Sequence, residues 1–424
     1  MISRKKIIGF TLVAMFIVWA VGAALGVMGQ RKLFYEEGKD ELSDFWMPRM
    51  CWEQGYVGHP EKWAGWREIK NCKPIEVDKR DVVRSGWYTD GSETRFVTGW
   101  RDKVYPKIAL LPVAPFPATR VGAYLWSTFA GAVFLASLCF VGRSLKPLLF
   151  ALTMPFIFNF ERGNPVWLSA AAVGIFLAWW DDECEWKSMV AAGCLAVAAA
   201  MKIAPCALGV LYFTKWRWKP VLFSGASAAA LVFLPWLFDR DGTAALAEMM
   251  RNASAHSDSV LRTSDFGLIE LWRNARLAFG LDITSPWPGM MVVAKLGQLL
   301  GVAVLAVGAK RRDYLLLVGG MLWAAGNMYY YAMLYLLPVL VMGWFSRGAA
   351  VGRGCGQEPE AGCSVNCEVV KRKWRDWVEI GLWLALLSPL QLVVLGHSVN
   401  QVIGNVALMG LMTIRLARGW RVNG

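Results

Sequence analysis

The stretch AAAMKIAPCALG, residues Ala198–Gly209, decides how the chain folds, because it places one lysine inside a long apolar run. The run extends from Met189 to Phe213, and a charge at the centre of a membrane-spanning helix costs about 3 kcal/mol unless it finds a partner or water. Pro205 follows the lysine closely and removes a backbone donor that an uninterrupted helix would need. We therefore predict two short helical segments that are broken at Lys202.

The composition indicates an integral membrane protein. The 424-residue chain is 56% hydrophobic with a mean hydropathy of +0.38, and runs such as Ile7 to Met28 are long enough to span a bilayer. The net charge of +13 lies in short loops between the apolar runs, which is typical of cytoplasmic loops and does not indicate a nucleic-acid partner. Nine cysteines show no metal-ligand spacing, so we expect no metal ion. We also expect no cofactor, and the apolar runs predict membrane lipids as partners.

Loop charges predict where the chain turns. Counting each of about ten apolar runs as one crossing places the basic segment TKWRWK outside, against the positive-inside rule. Breaks at Lys202 and at Gly326–Tyr331, with a turn at Asn159–Pro165, return the basic segments to the cytoplasm. Half-helices of about 16 to 21 Å would leave these breaks within a hydrocarbon core of about 30 Å, where they line an outward-opening cavity.

These turns predict an all-α polytopic membrane protein with about 12 transmembrane or broken helical segments and both termini in the cytoplasm. Residues 1–424 form one domain with a long first outer loop, 30–120, a second outer loop, 239–288, and a cytoplasmic loop, 346–377. Tyr88–Trp100 predicts a small hairpin. Cys51 and Cys72 of the first loop form a disulfide or stay as free thiols.

Several polar residues are predicted to gather on the outer face. Asp40, Glu41 and Asp44 follow the first helix, where they are either solvated acids or include one general base. Arg162 and Asn164 precede a helix start, where free backbone donors favour anions, and together with Lys202 they suit a phosphate.

Two further groups are weaker candidates for substrate binding. His256 and Arg262 lie in the second outer loop, whose apolar positions predict a surface amphipathic helix with or without a chemical role. Asn327 and Tyr330 lie at the predicted second break, where the tyrosines form either an interfacial belt or a platform for a sugar.

A family resemblance joins these features over about Asp44 to Val341. The chain resembles glycosyltransferase family 87, polyprenol-phosphate-mannose-dependent mannosyltransferases of the GT-C superfamily. The stretches that carry the resemblance are SDFWMPRMCWEQG, VYPKIALLPVAPFP, RGNPVWLSAAAVGIFLAWW, AAGCLAVAAAMKIAPCALGVLYFTKWRW and NMYYYAMLYLLPVLV.

The resemblance implies roles for individual residues. Asp44 matches the family's acidic base, and Lys202 matches a basic residue that we place on the donor phosphate. Tyr105-Pro106-Lys107 replaces the usual YPP and keeps Tyr105 as a candidate for substrate binding. Two departures are Asn164, which replaces a glutamine, and the tyrosines that stand near a usual histidine.

The expected reaction is transfer of a hexose by direct displacement at the anomeric carbon, with inversion there. Mannose is the favoured hexose. The resemblance implies a polyprenyl-phosphate sugar donor and a lipid-linked or envelope glycan acceptor at the outer face of the cytoplasmic membrane. The alternatives are a transporter or flippase of lipid-linked sugars, for which broken helices are also typical, and a glycan polymerase or ligase.

Overall fold

The computed structural model of the protein describes residues 4–24, 42–54, 86–89, 94–97, 105–238, 242–260, 267–269, 271–272, 289–325, 330–344, 377–388, 393–394, 397–398 and 400–420. The described residues are mainly α-helical, as predicted. The helices are α1 (Arg4–Ala24), α2 (Ser43–Gln54), α3 (Lys107–Leu110), α4 (Arg120–Gly142), α5 (Met154–Arg162), α6 (Val166–Trp179), α7 (Glu185–Met201), α8 (Val210–Phe213), α9 (Trp218–Leu237), α10 (Gly242–Val260), α11 (Met290–Arg311), α12 (Tyr314–Ala325), α13 (Leu336–Trp344), α14 (Trp377–Leu387) and α15 (Asn400–Trp420).

Short elements join these helices. Three 3-10 turns cover Lys146–Leu152, Ala204–Gly209 and Tyr330–Tyr335. Strands β1 (Gly86–Thr89) and β2 (Thr94–Val97) pair antiparallel and confirm the hairpin predicted within Tyr88–Trp100. A second small hairpin pairs β3 (Val393–Val394) with β4 (His397–Ser398).

Three helices of the described chain are long and apolar enough to cross a membrane. They contain Val121–Gly142, Trp218–Leu237 and Met291–Arg311, and several shorter apolar helices accompany them. Half of the residues of the Trp218–Leu237 helix, including Phe233 and Leu237, are exposed, as expected for a helix that faces lipid. The class of helical membrane protein is confirmed, and the count of about 12 segments stays a prediction.

The break at Lys202 is confirmed. Helix α7 ends at Met201, Lys202 is extended with φ −145° and ψ 119°, and Pro205 lies in the first turn of the 3-10 segment Ala204–Gly209. Lys215, beyond this segment, forms an ion pair with Asp181, which lies before α7. The chain therefore returns to the end from which α7 starts, as the loop charges predicted.

Helix α7 is longer than the apolar run suggested. It begins at Glu185, four positions before Met189, because a polar first turn with an acidic residue suits a helix N-terminus. Its 17 residues rise about 26 Å at 1.5 Å per residue. This rise is less than a hydrocarbon core of about 30 Å, and the depth of Lys202 in the membrane stays a prediction.

Ion pairs gather the predicted cytoplasmic segments at one end of the protein. Asp181 also lies 3.8 Å from Arg217 and 3.7 Å from Arg312, so the acidic segment DDECEWK supplies counter-ions to its basic neighbours. Further pairs at this ion-pair end are Arg415–Asp313, Arg415–Glu379 and Arg418–Glu379. The prediction that these segments share one side is confirmed for the segments that the ion pairs join, and it stays a prediction for MISRKK and GRSLK.

A glycine turn organises the opposite end. Gly163 follows α5 with φ +65°, and a Cβ at this position would lie 2.9 Å from the Cβ of Phe45, so a side chain would clash. The indole Nε1 of Trp126 donates to the Gly163 carbonyl at 2.7 Å. The backbone of Leu42 bonds to the Glu161 carbonyl at 2.8 Å, which fixes the start of α2 against the turn.

Helices α2 and α10 lie where the hydropathy pattern predicted loops. Their mixed composition gives no long apolar run, so the pattern did not reveal them. Cys72, the side chain of Cys51 and the predicted cytoplasmic loop with Cys355, Cys363 and Cys367 lie outside the described residues.

Candidate active site

Asp44 lies in the first turn of α2 and is buried, with 3% of its surface exposed. The Arg162 guanidinium, at the last residue of α5, donates from Nε to Oδ2 at 2.5 Å and from Nη2 to Oδ1 at 2.9 Å. This bidentate pair matches the planar fork of arginine to the carboxylate. The structure thus brings together the predicted acid and one predicted cation.

Asn164 completes the surroundings of this carboxylate. Its Nδ2 donates to Asp44 Oδ2 at 2.7 Å, and its Oδ1 accepts from the backbone N–H of Val166 at 2.9 Å. Because a carboxylate accepts and an N–H donates, the orientation of the amide is determined. Asn164 therefore positions Asp44 at the start of α6, whereas the sequence suggested direct contact with substrate.

Three donors reach the two oxygens of Asp44, two of them on Oδ2 and one on Oδ1. A carboxylate offers about four acceptor directions. One direction on Oδ1 therefore has no donor among the described residues.

Lys202 lies between two tyrosine rings. Its Nζ is 5.0 Å from the ring centroid of Tyr105 and 5.1 Å from that of Tyr331, within the range of cation–π contact. Among the described residues, its single hydrogen bond is a long one, 3.4 Å, to the Tyr331 hydroxyl. The Tyr331 carbonyl accepts a hydrogen bond from Asn159, so Lys202 is connected through Tyr331 to α5, the helix that ends at Arg162.

Buried polar contacts hold the 3-10 turn Tyr330–Tyr335 in place, and the sequence did not predict them. Asn159 in α5 bonds to the Tyr331 carbonyl at 2.9 Å. Ser169 donates its one hydroxyl hydrogen to the Ala198 carbonyl at 3.1 Å, so Tyr335 donates to Ser169 at 2.7 Å. The only sequence signal is the occurrence of single polar residues inside otherwise apolar helices.

Other candidates lie partly outside the described residues. Helix α10 includes position 256, but the His256 side chain is not described, and the Tyr330 side chain is likewise outside the description. The remaining candidates outside it are Asp40, Glu41, Arg262 and Asn327. Within the described ranges, no group of three or more His, Cys, Asp or Glu side chains could hold a metal ion.

Asp44, Arg162 and Asn164 thus form a polar cluster in a helical membrane protein. The sequence profile of glycosyltransferase family 87 matches residues 104–338, which is more than half of the chain. The protein belongs to glycosyltransferase family 87. No curated protein and no solved structure matches the chain.

The matched region contains Tyr105, Arg162, Asn164 and Lys202 but begins after Asp44. The acid is therefore connected to the family region by its contacts with Arg162 and Asn164.

Proposed function

We propose that the protein transfers a hexose from a polyprenyl-phosphate sugar to a lipid-linked or envelope glycan, with inversion at the anomeric carbon. Mannose is the favoured hexose. The observation that carries this proposal is the buried Asp44–Arg162 pair, together with the connection of Lys202 to the helix of Arg162 through Tyr331 and Asn159. A displacement with a lipid phosphate as leaving group needs one carboxylate for the acceptor proton and cations for the phosphate.

Asp44 acts as the general base. The acceptor hydroxyl donates to the available direction on Oδ1 and loses its proton to Asp44 as its oxygen attacks the anomeric carbon. The bond from that carbon to the phosphate oxygen breaks, and polyprenyl phosphate leaves with the electron pair.

Lys202 and Arg162 stabilise the leaving phosphate. The Lys202 ammonium has three donors, and its one hydrogen bond among the described residues is long, so two or more donors can turn to an anionic oxygen. The flanking rings of Tyr105 and Tyr331 hold the ammonium without neutralising it. Fixed cations at this place act when negative charge develops on the leaving oxygen.

The site faces the outside of the cytoplasmic membrane. The ion-pair end carries basic segments, which the positive-inside rule places in the cytoplasm together with both termini. Helix α7 separates this end from Lys202 by about 26 Å. A lipid-linked donor anchors itself in the membrane, so residues 1–424 work as one domain without a nucleotide-binding module.

A transporter or flippase of lipid-linked sugars is the second reading, because broken helices around a cation occur in transporters. Membership of a glycosyltransferase family favours transfer over transport. A polymerase or ligase differs from the proposed enzyme mainly in its acceptor.

The test is incubation of membranes containing the protein with labelled polyprenyl-phosphate mannose and, separately, polyprenyl-phosphate glucose. A labelled glycan product that is missing with the Asp44→Asn variant at equal expression supports the proposal. Purified protein that moves lipid-linked sugar across liposomes without transferring it would overturn the proposal in favour of a transporter.

A further inference from the structure

Asn159 stands at the middle of α5 with none of its surface exposed. Its Nδ2 donates to the Pro155 carbonyl at 2.8 Å and to the Tyr331 carbonyl at 2.9 Å. Both acceptors are carbonyl oxygens, so only the NH2 group of the side chain can face them. The second bond crosses between elements that are 172 positions apart in the chain.

The residue held by this bond is the one that contacts Lys202. Tyr331 is the second residue of the 3-10 turn Tyr330–Tyr335. Its ring centroid lies 5.1 Å from the Lys202 ammonium, and its hydroxyl accepts a hydrogen bond from that ammonium at 3.4 Å. A shift of the Tyr331 backbone would move both contacts together. Asn159 therefore reaches the cation through one intermediate residue.

The same helix also holds the acid. Asn159 and Arg162 are three residues apart on α5, which places them on neighbouring positions of one helix face. Arg162 contacts both oxygens of Asp44. Helix α5 thus connects one side chain to each half of the site, and these two contacts determine the separation of acid and cation.

One half of the amide has a partner outside its own helix and the other half has none. The Oδ1 of Asn159 is buried and finds no hydrogen-bond donor among the described residues. A leucine has similar volume and would remove this unpaired acceptor, but it would also remove the donor that the Tyr331 carbonyl receives. The asparagine fits a requirement for its NH2 group at the Tyr331 carbonyl.

We propose that Asn159 is a positioning residue that places the Lys202 ammonium, through Tyr331, at the phosphate of the lipid donor. This inference rests on the proposed function, because it assumes that Lys202 binds that phosphate. Asn159 does not touch the reacting atoms, so its replacement acts on donor binding first and on the acceptor little.

The experiment is a double-mutant cycle on purified full-length protein, with polyprenyl phosphate binding measured by tryptophan fluorescence and donor KM measured in the transfer assay. Asn159→Leu is expected to weaken polyprenyl phosphate binding and raise the donor KM by about tenfold. In a Lys202→Ala background, Asn159→Leu is expected to change both by less than about twofold, because the two residues act through one contact.

Asn405→Leu is the matched control. Asn405 is also fully buried, and its amide exchanges hydrogen bonds of 3.0 and 3.2 Å with the Gly267 backbone, at a distance of 138 positions in the chain. Its loss is expected to lower the melting temperature without changing the donor KM. Asn159→Ala provides a second variant if Asn159→Leu does not fold.

The outcomes separate the two proposals. Wild-type protein that binds no polyprenyl phosphate, or Lys202→Ala protein that binds it normally, would overturn the proposed donor site and this inference with it. If Lys202→Ala weakens binding and Asn159→Leu multiplies that loss independently, the inference is wrong and the proposed donor site stands. If Asn405→Leu raises the donor KM as much as Asn159→Leu does, the role of Asn159 is structural and the inference is wrong.

Discussion

The Arg162 guanidinium contacts both carboxylate oxygens of Asp44 across 118 positions of the chain. The arginine lies inside the region that matches the family, and the acid lies before that region. Gly163 permits this meeting, because its left-handed backbone and missing side chain let α2 approach the end of α5. The first described segment after α1 is thus part of the site.

Asp44→Asn tests the base directly. The amide keeps the size of the side chain but cannot take a proton from the acceptor, so turnover is expected to fall at least about 100-fold. Sugar transfer is measured in membranes matched for expression. Asp182→Asn removes an acid at the ion-pair end, where Asp182 pairs with Lys187, and should leave turnover unchanged. Undiminished transfer by Asp44→Asn would exclude Asp44 as the base.

Arg162→Lys tests the shape of the arginine as distinct from its charge. Lysine keeps the positive charge but cannot bond to both oxygens of Asp44, and arginine and lysine are not equivalent at bidentate sites. We expect kcat to fall and donor KM to rise, together lowering kcat/KM by about tenfold or more. If the Arg162→Lys protein has wild-type kinetic constants, a positive charge alone is sufficient at position 162.

Lys202 and Tyr331 make separable contributions. Lys202→Ala removes a cation from the proposed phosphate site and is expected to raise donor KM by about tenfold or more. Tyr331→Phe removes the long 3.4 Å hydrogen bond to Lys202 and keeps the ring beside the ammonium, so the change in donor KM should stay within about threefold. A larger loss for Tyr331→Phe than for Lys202→Ala would show that the tyrosine hydroxyl itself serves the reaction.

Local signals explain which parts could be predicted from the sequence. Lys202 and Pro205 are three positions apart, and the basic segment that follows them determines the direction of the chain, so the break could be predicted. The turn at Gly163 could also be predicted, because polar residues, a glycine and a proline lie together in Asn159–Pro165. The bonds from Asn159 to Tyr331 and from Asn164 to Asp44 were not, because nothing in the sequence fixes which distant backbone or carboxylate a buried amide will meet.

Helix ends were also hard to predict from hydropathy. The pattern began α7 at Met189, because charged residues interrupt the apolar run there, whereas the helix starts at Glu185. The polar residues of α10 concealed that helix in the same way. Helix α7 is therefore four residues longer at its start than the hydropathy pattern indicated.

The sidedness of the protein gives the final prediction. Trp216 is 73% exposed at the ion-pair end, and Pro115 is exposed near the start of α4, at the end that carries the site. In a cysteine-free background, Pro115→Cys should react with a membrane-impermeant maleimide in intact cells. Trp216→Cys should react only after the membrane is opened, because basic segments stay in the cytoplasm. The reverse pattern would place Asp44 and Lys202 on the cytoplasmic side and contradict a donor site on the outer face.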